Sequence, residues 1–193
     1  MSYPKCFKTR LCAALAAGLF ASSMAAADAT VTISATPNPT TVGSVVGVDI
    51  LISGVTDLYG YQFSLGFNSS VLQAVSSTEG AFLGTGGSTF FDGGSIDNGT
   101  GNISFVFDTL VGAVPGVNGG GVLAHVNFNA VGAGTNVFAF SDGIFLDSAL
   151  ADITTTFQPG TVLVTAVPEP AAYALFAFGL AGIGLVARRR KAA

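Results

Sequence analysis

A chain of 193 residues has room for one domain and two end segments. Half of its residues are hydrophobic and only 9% are charged, yet the charges are sorted: Lys5, Lys8 and Arg10 stand at one end, Arg188, Arg189, Arg190 and Lys191 at the other, and ten of the eleven acids lie between Asp28 and Asp152. A middle without Lys or Arg offers nucleic acid no electrostatic footprint and supplies neither a phosphate clamp nor a Schiff-base lysine.

Taken in order, residues 1–27 carry a basic start, an apolar run from Leu11 to Phe20, and small residues ending Ala25-Ala26-Ala27. This is the three-part layout of a secretory signal peptide, with Ala25 and Ala27 in the A-x-A positions and cleavage expected after Ala27. Both cysteines, Cys6 and Cys12, fall in this segment, so the exported domain would have no disulfide and no thiol chemistry. Thr-Arg-Leu before Cys12 is not a lipoprotein pattern.

Residues 28–166 read as strands. Val31 to Ser34 begins one, and Pro37-Asn38-Pro39 ends it because neither proline can donate to a ladder. Val46, Val48, Ile50 and Ile52 alternate with Gly47, Asp49, Leu51 and Ser53, and then Tyr59, Tyr61, Phe63, Leu65 and Phe67 with Leu58, Gly60, Gln62, Ser64 and Gly66. A turn at Asn68-Ser69-Ser70 leads to Val71, Leu72, Ala74 and Val75, which return to apolar packing. Residues 79–102, rich in Gly, Ser, Thr, Asn and Asp, read as a loop with at most one short strand. Ile103, Phe105 and Phe107 form the next strand face, Val114 to Gly121 a flexible connection, and Val122, Ala124, Val126 and Phe128 another strand. Val137 to Phe140, Ile144 to Leu146, Ile153 to Phe157 and Thr161 to Val164 complete nine or ten strands, with no helical period anywhere. Strands at this spacing between Gly-rich turns predict an all-β, antiparallel two-sheet β-sandwich.

The run Leu58-Tyr59-Gly60-Tyr61-Gln62-Phe63-Ser64-Leu65-Gly66-Phe67, followed by a turn and Val71-Leu72, looks like the early part of cohesin domains and related carbohydrate-binding β-sandwiches. Ala81-Phe82-Leu83-Gly84, Gly101-Asn102-Ile103-Ser104-Phe105 and Gly121 to Phe128 follow in an order similar to the family's. The resemblance implies a jelly roll of about nine strands and a role in binding a surface protein or an extracellular polysaccharide. Phe67-Asn68-Ser69 departs from the family's Tyr/Phe-Asp-Pro, which bears on the turn geometry.

Catalytic chemistry is poorly supplied. His125 is the only histidine and stands opposite the apolar face of its strand, and no two acids sit where their pKa values would separate. The expectation is a non-enzyme without a cofactor. Asp92 and Asp97, and Asp142, Asp147 and Asp152, lie in Gly-containing, oxygen-rich loops that suit calcium, but no EF-hand spacing is present and such pairs more often make turns.

The tail, 167–193, opens with Pro168-Glu169-Pro170, a stiff extended tripeptide. Ala171 to Ala187 has no charge, enough for a short transmembrane helix, and Arg188, Arg189, Arg190 and Lys191 then hold that flank in the cytoplasm. This order closely resembles the PEP-CTERM sorting signal of Gram-negative bacteria, whose recognition by exosortase, a membrane-embedded protease, would make the chain a substrate. The plain alternatives are an uncleaved membrane anchor and a dedicated carbohydrate-binding module. The domain is expected outside the inner membrane and finally at the cell surface or in the extracellular matrix.

Overall fold

The computed structural model describes residues 28–167 together with 175–176 and 178–180. Ala25, Ala27, Pro168, Glu169, Pro170 and Arg188 to Lys191 lie outside the described residues. Of the 171–187 segment, Leu175, Phe176, Phe178, Gly179 and Leu180 are described and are helical. Among the described residues no helix is long and apolar enough to cross a membrane.

Twelve strands and one 3-10 turn make up the domain: β1 (Ala29–Thr36), β2 (Thr40–Thr41), β3 (Val45–Gly66), β4 (Leu72–Glu79), the turn Leu83–Thr85, β5 (Thr89–Asp92), β6 (Ser95–Asp97), β7 (Asn102–Leu110), β8 (Val117–Ala130), β9 (Gly134–Val137), β10 (Ala139–Asp147), β11 (Thr155–Phe157) and β12 (Thr161–Thr165). The long strand β3 organises them. Its first half pairs with β1 and β8, and β8 in turn with β4; its second half pairs with β7 and β10, and β7 with β5 and β6. Between the halves Gly54 and Asp57 take left-handed backbone, φ 71° and 59°. Glycine adopts that geometry freely, and a short aspartate tolerates it when its side chain is tied down. Asp57 is tied: its carboxylate accepts the Gly116 N–H (2.7 Å) and the Ser148 hydroxyl (2.6 Å), while its own N–H donates to Asn118 (2.9 Å). The chain thus turns from one layer into the other, and a small sheet of β2, β12 and β9 closes one end.

The alternation read from the sequence places most of the core. Val46, Val48, Ile50 and Ile52, then Tyr61, Phe63, Leu65 and Phe67, are buried between the layers with Val126, Phe128, Phe138 and Phe145. Phe128 meets Phe67 edge-on at 5.1 Å and Phe138 at 5.4 Å, and Tyr61 stacks between Phe63 and Phe145 at 5.9 and 6.0 Å. Four fully buried phenylalanines, each contributing about 1.5–3 kcal/mol of apolar burial, hold the layers together without a disulfide.

Where the period breaks, the structure corrects the reading. Strand β7 carries a bulge opposite Phe63 and Leu65, with Phe105 at φ 57°. The extra residue moves the inward positions from Phe105 and Phe107 to Val106, Asp108 and Leu110, and Phe105 is turned out, 58% exposed. The Phe105 N–H, displaced from the ladder, donates to the Ser64 hydroxyl at 3.2 Å, which is why Ser64 is buried on a row expected to face out. Leu58 is buried for the same reason, since the β3–β8 register shifts between Val55 and Leu58. A further shift between Ala74 and Ser76 leaves Val75 exposed, and beside it Asn98 imitates a strand neighbour, accepting from the Ala74 N–H (2.7 Å) and donating to its carbonyl (3.0 Å). Residues 79–102 hold two short strands, β5 and β6, rather than one. Gly119 and Gly121, read as a flexible connection, pair with Val55 and Ile52. Two pairings, β1 with β11 and β2 with β12, are parallel, because β11 and β12 return after long excursions and no hairpin dictates their direction.

Candidate protein-docking face

The two outer faces of the sandwich differ in chemistry. Across β4, β8, β3 and β1 the outward rows are polar: Thr78, His125, Asp49 and Ser34 lie side by side, as do Ser76, Asn127, Gly47 and Thr36. Across β10, β3, β7 and β5 they are largely apolar. One row runs Ile144, Gln62, Phe107, Asp92 and the next Leu146, Gly60, Thr109, Phe90. Phe90 is 60% exposed with its ring 5.9 Å from that of Phe107, and Leu150 reaches over from the loop after β10 with 67% of its surface exposed. Gly60 is the floor. Without a side chain there, Phe107, Ile144, Leu146 and Leu150 border a shallow hollow of about 240 Å³, and a Cβ at Gly60 would meet Thr109 and the Asp108 carbonyl at 3.2–3.3 Å. Sequence reading missed this face because the Phe105 bulge reverses which residues of β7 look outward.

Beneath it lies an unusual acid. Asp108 points inward on the row of Phe145, Tyr61 and Phe91, is 1% exposed, and neither carboxylate oxygen has a hydrogen-bond donor among the described residues. Burial, with Glu79 as a second acid close by, pushes it up to about 7. Burial likewise pushes the Tyr61 phenol well above its ordinary value, and its hydroxyl donates to the Leu123 carbonyl.

His125 lies on the polar face, half-buried. Its Nδ1 meets Asp49 Oδ1 at 2.6 Å and its Nε2 meets Asn127 Oδ1 at 3.2 Å. With an oxygen at each ring nitrogen the imidazolium is favoured, and the hydrogen bond to Asp49 raises the histidine above its ordinary value. The Asp49 contact thus ties β8 to β3 on this face.

The loop acids serve their own turns. Asp92 accepts the Gly94 N–H, Asp97 the Gly99 N–H and the Thr100 hydroxyl, and Asp147 the N–H groups of Ala149 and Ala151, all at 2.8 Å. The Thr100 hydroxyl holds Asp97 below the usual carboxylate range, and the Ser148 hydroxyl does the same for Asp57. Asp142 stands in the β10 bulge with φ 53°, and Asp152 bridges to Leu146. Among the described residues no three His, Cys, Asp or Glu side chains are grouped to hold a metal ion.

A two-layer β-sandwich that buries its aromatics and turns one apolar sheet face outward has the build of an interaction module. The cohesin domain model matches residues 29–164, and the chain belongs to the cohesin family. A second model, the PEP-CTERM protein-sorting motif, matches residues 166–191. Among solved structures, the chain is similar to a non-cellulosomal cohesin from the archaeon Archaeoglobus fulgidus (16% identity, TM-score 0.57, covering 76% of this chain and 96% of that one). It is also similar to the sixth cohesin of Acetivibrio cellulolyticus scaffoldin B, solved in complex with a Cel5 dockerin mutant (18%, 0.57, 72% and 100%). The second type II cohesin module of the same organism's ScaA scaffoldin gives 19%, 0.60, 70% and 96%. At these identities the likeness establishes the fold. A search of curated protein sequences finds no match.

Proposed function

We propose that this chain is a non-enzymatic, exported envelope protein, processed by an exosortase, whose cohesin domain docks a protein module on the outer face of β10, β3, β7 and β5. In this reading residues 1–27 are removed after Ala27, Pro168-Glu169-Pro170 marks the sorting site, and Arg188, Arg189, Arg190 and Lys191 hold the tail at the cytoplasmic side until processing. The observation that carries the docking role is the grouping of Phe90, Phe107, Ile144, Leu146 and Leu150 on one open face around Gly60. A contiguous exposed apolar patch of this kind, opposite a face clothed in Ser, Thr, Asn and Asp, marks an interaction site. The partner it fits presents aliphatic side chains to the hollow and Lys or Arg at the rim, since this domain has acids and no Lys or Arg of its own. A dockerin-type module is the partner this reading favours, since one of the similar cohesins was solved with a dockerin bound.

Proteins exported by the same cell, passed over the immobilised domain, test this. A captured protein carrying a dockerin-type module, lost with Phe107→Glu or Leu146→Glu and retained with Asn127→Ala on the opposite face, is the expected result. Capture indifferent to Phe107→Glu and Leu146→Glu, or binding only to members of a glycan panel, overturns it.

A further inference from the structure

The domain ends where the sorting motif begins. Thr165 is the last residue of β12, and only Ala166 and Val167 separate it from Pro168. Six chain steps separate Thr165 from Ala171, where the uncharged segment opens, so at full extension the link measures about 20 Å. The headgroup layer takes up about 5–8 Å of that. A domain of this size is about 37 Å across, taking the radius of gyration expected for its length. The link is therefore too short to swing the opposite end of the domain onto the bilayer.

The end bearing Thr165 is well defined. The Val42 N–H donates to the Thr165 carbonyl at 3.0 Å, the Gly43 N–H to Ala130 at 2.8 Å, and the Val131 N–H to Val71 at 2.8 Å, so the β2–β3, β8–β9 and β3–β4 loops gather there. At the opposite end stand the Asp57 turn, the loop after β7 and the loop after β10. The acids are divided unequally between the two. Strand register places Asp28, Asp57, Asp147 and Asp152 towards the far end, Glu79 opposite Ala124 near the middle, and only Asp97 at the end that carries the tail. The loops at the tail end offer Thr41, Ser44, Ala133 and the exposed valines Val131 and Val167 instead.

From the short link and the unequal charge we infer that, while the tail is uncut, the end of the sandwich formed by the loops around Thr41, Val131 and Thr165 rests on the phospholipid headgroups, with the acidic end pointing away. Anionic lipid repels carboxylates, so the acid-poor end is the one a bilayer tolerates at contact. The docking face, which runs along the side of the sandwich, stays open in this pose. The inference rests on the reading that residues 171–187 are held in the membrane.

The test uses protein isolated from a host lacking exosortase, with leader removal and an intact tail verified by mass spectrometry. That form has no native cysteine, because Cys6 and Cys12 lie in residues 1–27. A fluorophore is placed on Ala133→Cys at the tail end or on Ala113→Cys at the far end, both exposed, and the protein is reconstituted in phosphatidylethanolamine–phosphatidylglycerol vesicles containing a headgroup quencher. Quenching several-fold stronger at position 133 than at 113 is expected. Equal quenching, or stronger quenching at 113, on protein that floats with the vesicles overturns the orientation alone. Failure to float with the vesicles overturns the membrane-held tail and the inference with it.

Discussion

At the scale of single residues, two titrating groups make stability depend on pH in the same direction. Asp108 is pushed up to about 7 by burial and by Glu79, so the folded state keeps a proton that the unfolded chain releases near 4. Its contribution is whole below that lower value and is lost as pH climbs to about 7. His125, raised by Asp49, contributes fully below its ordinary 6.5 and loses that contribution as pH passes its higher folded value. Thermal unfolding followed from pH 5 to 9 is expected to show a falling Tm. Asp108→Asn, which keeps the shape and supplies a donor for Glu79, should flatten the part of the curve below about pH 7 and stabilise the domain by about 1–3 kcal/mol at pH 8. A Tm indifferent to pH in the wild type, or lowered by Asp108→Asn at pH 8, would contradict this account.

At the scale of elements, the β7 bulge has the largest reach. It places Val106, Asp108 and Leu110 inward, turns Phe107 to the outer face, and leaves one N–H that Ser64 satisfies. Ser64→Ala buries that donor unpaired and should cost about 1–3 kcal/mol in urea unfolding. Phe105→Gly relieves the left-handed backbone at φ 57° and should cost little or stabilise. If Ser64→Ala is neutral, the hydroxyl is not the partner that holds the bulge. Period-2 reading placed the inward residues of β3 correctly, Val46 to Ile52 and Tyr61 to Phe67 on alternate positions, because the extra residues there lie on the partner strands and not on β3 itself. It failed at Leu58, Val75, Phe105 and Phe107, each beside a register shift, because a single extra residue exchanges the two faces of everything after it.

At the scale of the whole molecule, the domain carries ten acidic residues and no Lys or Arg. Self-repulsion of this kind is long-ranged at low salt and screened at high salt. Raising ionic strength from 0.01 to 0.5 M should therefore lift Tm by about 3 °C or more, on the order of 1 kcal/mol. A Tm that falls with salt would mean that local pairs such as His125 with Asp49 outweigh the repulsion. The same charge distribution sets the poles apart and, under the proposed docking role, favours a partner with a basic rim.

Composition and order alone determined the division of the chain: basic flanks with apolar runs, an acidic strand-rich centre, and the Pro-Glu-Pro tail. Those traits are carried by residue type and linear spacing, which need no folding to be read. The tertiary structure decided which side of each strand is buried, that β3 serves both layers, that Asp108 lies dry beside Glu79, and that Phe90, Phe107, Ile144, Leu146 and Leu150 share one open face. These depend on bulges and cross-strand register, where one residue inserted in one strand is answered by a partner 40 or more positions away, as Ser64 answers Phe105. No local pattern in the sequence records that pairing.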